Sequence, residues 1–188
     1  MNDDEILSHL RAQAKASEKR QHANFFGWHD RSPSGKGVAE SGIVDDLLGA
    51  MEAAGLSEYR NLGPSGEEWP DVWLEGPDGK RTPCEVTELV DQHALPSGQA
   101  RPWTASQLVD QLQAKLRTKG LRSVGGSQGD KSILVIHTDE SYLNAENVAA
   151  MLADVSFKQP PTIDRVFLLL SYDPNRAGYR FFELQLAV

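Results

Sequence analysis

Residues 133–137, Ile-Leu-Val-Ile-His, constrain the fold more than any other stretch of the chain. Side chains alternate between the two faces of a strand, so an unbroken apolar run asks for cover on both sides of its sheet. A sheet with one wet face would instead alternate apolar and polar residues. The chain therefore needs helices on both faces of a sheet, and its 188 residues suffice for one domain with such a core.

The helices can be found by period and end signals. Residues 104–119 carry Leu108, Leu112 and Leu116 on one face, with Thr104 as N-cap and Gly120 as stop. Residues 38–54 place Val38, Ile43, Val44, Leu47, Leu48 and Met51 on a shared face, with Gly55 as C-cap. Residues 144–155 form a further helix. Residues 2–22 form a separate one, capped by Asp3 or Asp4, with Ile6, Leu7, Leu10 and Ala14 as a narrow apolar stripe. That stripe packs either on the domain or on a second copy of the chain, which would make a homodimer. Residues 24–37, rich in Gly, Ser and Pro, read as a linker whose Phe25, Phe26 and Trp28 plug a surface groove. The organisation is thus an N-terminal helix and linker over 1–37 and an α/β domain over 38–188.

Strands are expected at 58–62, 71–75, 81–89, 133–137, 164–171 and 179–186. Gly76-Pro77-Asp78-Gly79 joins the second and third as a hairpin turn, and Tyr-Asp-Pro-Asn separates the last two. Residues 92–102 read as a loop. Helices and strands interleave, yet a hairpin sits in the middle. The expected class is α/β, with a mixed β-sheet flanked by helices rather than a doubly wound parallel one.

Composition narrows the function. Apolar residues at 39% and charged residues at 24% give a globular balance, and no apolar run nears the ~20 residues of a membrane helix, so no membrane partner is expected. The polar N-terminus does not read as a secretory signal. Cys84 is the only cysteine, which forbids an internal disulfide and suits a reducing, cytoplasmic setting. The net charge of −8 is not that of a chain which binds nucleic acid through a broad basic face, though a local basic patch beside an acidic site is compatible with it.

The chemistry concentrates in "PDVWLEGPDGKRTPCEVTEL", residues 70–89. Asp71 and Glu85 lie 14 positions apart across one turn, which brings them to about the same level of the hairpin. Two carboxylates there offer hard oxygen ligands to Mg²⁺ or Mn²⁺. Glu85 and Thr87 point to one face and Cys84 and Val86 to the other. On the following helix Gln107, Gln111 and Lys115 recur every four residues and line one face. Lys115 is the expected source of positive charge at the pair, and Glu40 is a third acidic candidate.

Each of these residues also has an ordinary explanation. Asp71 after Pro70 can simply start a strand, and Glu85 can sit on an exposed edge. Gln111 and Lys115 can be a solvated helix face, and Glu40 can favour a helix N-terminus. Other chemistries fit less well. The five histidines show neither HxH nor HExxH spacing, Cys84 in a strand reads as a core residue, and no G-x-S-x-G occurs. The loop "GGSQGDKS" at 125–132 precedes a strand rather than joining strand to helix, unlike a phosphate-binding loop.

Asp71 after proline, then Glu85-Val86-Thr87, then a helix with Gln111 and Lys115, resembles the PD-(D/E)xK superfamily of restriction-endonuclease-like nucleases. The resemblance spans roughly residues 38–137. It implies an αβββαβ core, with the expected C-terminal β-hairpin lying outside it, and a Mg²⁺- or Mn²⁺-dependent hydrolase of phosphodiester bonds in nucleic acid. It further implies Asp71 and Glu85 as metal ligands with the Val86 carbonyl, Glu40 as a helper, and Gln111 and Lys115 beside the reacting phosphate. The departure is Thr87, where the family pattern has lysine; some members carry that lysine on the following helix. The alternative is a catalytically inactive nuclease-like domain used as a protein- or nucleic-acid-binding module.

Overall fold

The computed structural model describes residues 33–56, 58–91, 101–122, 131–140, 142–170 and 178–187. The expected helix at 2–22, the aromatic linker residues and the Tyr-Asp-Pro-Asn turn lie outside the described residues. In chain order the elements are α1 (Pro33–Ala53), β1 (Arg60–Pro64), β2 (Val72–Glu75), β3 (Arg81–Glu88) and α2 (Ala105–Arg122). They continue with β4 (Ser132–Thr138), α3 (Ala145–Leu152), β5 (Phe157–Lys158), β6 (Ile163–Leu170), β7 (Arg180–Glu183) and β8 (Leu186–Ala187).

Six strands form a mixed sheet in the order β1-β2-β3-β4-β6-β7. The pairs β3–β4 and β4–β6 are parallel, whereas β1–β2, β2–β3 and β6–β7 are antiparallel. The turn between β2 and β3 closes as expected: Gly79 N donates to the Gly76 carbonyl at 3.0 Å, and Gly79 takes φ +76°, which glycine adopts freely. Every residue of β4 is buried. Ile133 and Val135 pack under α1 with Ile43, Val44, Leu47 and Met51, while Leu134 and Ile136 pack under α2 with Leu108, Leu112 and Leu116. The apolar run thus faces two cores, one on each side of the sheet.

Several boundaries differ from the sequence reading. α1 begins at Pro33, inside the stretch read as linker; proline suits the first turn of a helix, where its missing N–H is no loss. Val38 is exposed rather than on the buried face, because at 100° per residue it lies nearly opposite Glu40 and directly opposite Leu47. α2 runs through Gly120 to Arg122, so Gly120 does not stop it. The C-terminal hairpin is shorter than expected: β7 ends at Glu183, and β8 leaves to pair in parallel with β5.

Candidate functional site

The site forms where β2 parts from β3. Their pairing runs from Glu75↔Arg81 to Val72↔Cys84 and stops there. Asp71 lies just outside the strand, and its Oδ2 accepts the Val86 N–H at 2.9 Å, doing for β3 what a further β2 residue would have done. The N–H and C=O of one strand residue face the same neighbour, so the Val86 carbonyl also faces the side that β2 vacates. The backbone at this point is tied down: Ser65 N donates to the Asp71 carbonyl at 3.2 Å, and the Ser65 hydroxyl donates to the Pro70 carbonyl.

The parting of the strands lets side chains from the two faces of the sheet meet. Glu85 points toward α2, away from Cys84 and Val86, which lie in the core under α1. Lys119 on α2 donates to Glu85 Oε2 at 2.5 Å and to Asp71 Oδ2 at 3.4 Å. From the other side Lys36 on α1 reaches Glu40 Oε1 at 3.2 Å, one helical turn on, and Asp71 Oδ1 at 3.6 Å. Asp71 therefore sits between the two lysines, one on each carboxylate oxygen. The side chains of Glu40, Asp71 and Glu85 are each 6% exposed, that of Lys119 13%, and that of Lys36 53%.

Among the described residues three carboxylates share two ammonium groups, and the crowding is felt. Burial pushes Glu85 above the usual carboxylate range; Lys119 opposes the shift and Asp71 adds to it. Burial likewise raises Glu40, Asp71 repels it further, and Lys36 offsets part of the effect. Burial alone would lower Lys36, but the Asp71 charge and the Glu40 bond outweigh it and leave it raised. The Cys84 thiol, buried beneath the carboxylates, is pushed far up, which leaves it a poor nucleophile.

The other expected residues lie elsewhere. Lys115 is half-buried one turn before Lys119; burial holds its pKa down while the Glu88 charge raises it. Among the described residues neither it nor Gln111 bonds to Asp71 or Glu85. A helix rises ~1.5 Å per residue, so the turn from 115 to 119 moves the ammonium about 6 Å, close to two strand residues. Gln107 serves the helix end instead: it accepts from Thr104 N at 3.0 Å while its own N–H donates to the Thr104 hydroxyl at 3.2 Å, a reciprocal capping pair. Lys119 continues the row of 107, 111 and 115, and that period is the signal that marks it.

The end of α2 is fixed by a glycine. A Cβ on Gly120 would fall 2.5 Å from the Pro160 Cβ, so only a residue without a side chain lets the helix lie this close. Thr162 Oγ1 donates to the Gly120 carbonyl at 2.9 Å and secures the contact.

Among the described residues, no group of three or more His, Cys, Asp or Glu is gathered tightly enough to cage a metal ion. Mg²⁺ does not ask for such a cage: it commonly takes one or two carboxylates and keeps its waters. The donor set of Asp71, Glu85 and the Val86 carbonyl, all hard oxygen, fits that habit and not a zinc site. Also among the described residues, no helix is long and apolar enough to cross a membrane. No protein-family model, curated protein or solved structure matches this chain.

Proposed function

We propose that the chain is a metal-dependent nuclease of the PD-(D/E)xK type, hydrolysing phosphodiester bonds in nucleic acid, with Lys119 in the role of the lysine missing at Thr87. One observation carries the reading: Asp71, just before β2, and Glu85, on β3, converge on a single ammonium group at 3.4 and 2.5 Å. Asp71, Glu85 and the Val86 carbonyl would hold Mg²⁺ or Mn²⁺. When bound, such an ion polarises a phosphate oxygen and acidifies water. Lys119, packed and fixed by the end of α2, is placed to stabilise negative charge growing on the phosphate. Glu40 adds a carboxylate from the opposite face.

A second reading is a nuclease-like domain without catalysis, used to bind protein or nucleic acid. It is favoured by the ion pairing itself, since two lysines already neutralise most of the acidic charge.

The test is cleavage of single- and double-stranded DNA and RNA by the purified chain with Mg²⁺ or Mn²⁺. Asp71→Ala and Glu85→Ala abolish cleavage, and Lys119→Met lowers it by roughly a hundredfold or more while Lys115→Met leaves most of it. Full activity in both carboxylate mutants sinks the nuclease reading, and an inactive wild-type chain leaves the binding module.

A further inference from the structure

We infer that Lys36 is a built-in competitor for the cation, holding the site closed until a divalent ion displaces it. The inference rests on the metal reading above and concerns a residue which that reading leaves out. Ammonium groups stand between the carboxylates of the cluster: Lys119 bridges Asp71 and Glu85, and Lys36 bridges Asp71 and Glu40. A divalent ion entering among them must push an ammonium aside.

The two lysines differ in how readily they yield. Lys119 is 13% exposed and its shorter contact is 2.5 Å; moving it would strand a charge in a buried setting. Lys36 is 53% exposed and holds its two partners at 3.2 and 3.6 Å. Its stem needs only to rotate about its own bonds to put the charge in water, which costs little. Lys36 also sits one turn before Glu40, so its departure frees Glu40 and Asp71 Oδ1 together. Lys119 would keep Glu85 Oε2 and Asp71 Oδ2, which leaves Asp71 Oδ1, the second Glu85 oxygen and the Val86 carbonyl to the ion. The ion pair of Lys36 and the bound cation are thus mutually exclusive, and each weakens the other by the same factor.

The experiment is calorimetric titration of the full chain with Mn²⁺ alone, without nucleic acid, for wild type, Lys36→Met, Lys36→Arg and Asp71→Asn. The expected result is roughly tenfold tighter binding to Lys36→Met, the scale of removing one unit charge beside a divalent ion in a partly solvated site. Lys36→Arg keeps the charge and binds no more tightly than wild type; thermal melts of both variants check that each is folded. If wild type binds Mn²⁺, Asp71→Asn does not, and Lys36→Met matches or falls below wild type, the competitor role is overturned while the metal site stands. If no variant binds Mn²⁺, the metal reading falls and takes this inference with it.

Discussion

Two of the charged clusters among the described residues are built on opposite plans. In one, Arg165 on β6 uses its whole guanidinium. Its Nε and Nη2 donate to the two oxygens of Glu183 at 2.7 and 2.9 Å, and Nη1 donates to Tyr59 at 3.2 Å and to Glu58. The guanidinium lies 4.9 Å from the Phe167 ring centre and 5.7 Å from that of Tyr59. Both glutamates are nearly half exposed, so water screens what the arginine leaves unbalanced. The other cluster gathers three buried carboxylates around two lysines, with little water to help. An arginine fork fixes geometry, whereas a lysine is a point charge that can be exchanged. The first arrangement is what holding two chain segments together requires. The second keeps a cost that a structural contact would not need, and such sites are where function is sought.

That contrast can be broken by experiment. The largest effect belongs to the buried cluster: under the proposed nuclease reading, loss of Asp71 or Glu85 is expected to lower cleavage on the order of a thousandfold or more, with thermal melts checking that each variant is folded. Equal loss on changing Arg165 would erase the distinction.

Next in size is the effect of acid. Burial, reinforced by the Lys115 charge and opposed by Asp139, lowers His137 to about 4. Its folded pKa is below the unfolded value, so unfolding takes up a proton. Stability is full above about 6.5, falls as pH drops toward 4, and loses roughly 3 kcal/mol over that window. Chemical denaturation across pH measures the slope, and His137→Gln removes it; an unchanged slope in that variant refutes the assignment. Glu40 and Glu85 act the other way. Their raised pKa values make the protonated forms the stabilising ones, and that contribution is lost as pH rises through the folded values.

Arg165→Met is expected to cost about 2 kcal/mol of unfolding free energy, through lost hydrogen bonds and stacking, without changing the response to metal. Smallest is Glu40→Gln, which keeps a polar group beside Lys36 while removing one buried charge; it should raise stability slightly, because burial and Asp71 both disfavour the charged form. A loss of stability there would mean that the three carboxylates are balanced after all.

The layered α/β architecture was legible because its signals are long. Leu108, Leu112 and Leu116 mark one helix face, the run at 133–137 demands two covered faces, and the Gly-Pro-Asp-Gly turn fixes the β2–β3 register. β5 and β8 were not legible: two residues each carry no period, and their pairing depends on where the tail comes to lie. At the site, the meeting of Asp71 and Glu85 followed from spacing alone. The two lysines did not. Lys36 fell in a segment whose Pro, Ser and Gly read as linker, although Gly37 there serves packing: a Cβ on it would come 3.0 Å from Pro64. Lys119 stood at an expected helix end, and Gly120 looked like a stop when it is a point of close packing.

Gly120 and Pro160 therefore act as two halves of a lock whose setting is felt one residue away. A methyl group at 120 would lever the last turn of the helix off its seat and carry the neighbouring lysine with it. The electrostatics of the acidic pair would change although no charged residue had been touched. The pair should tolerate exchange only together, the proline shrinking as the glycine grows. A survey of this molecule by its ionisable side chains would pass over the position that sets how far one of them can reach.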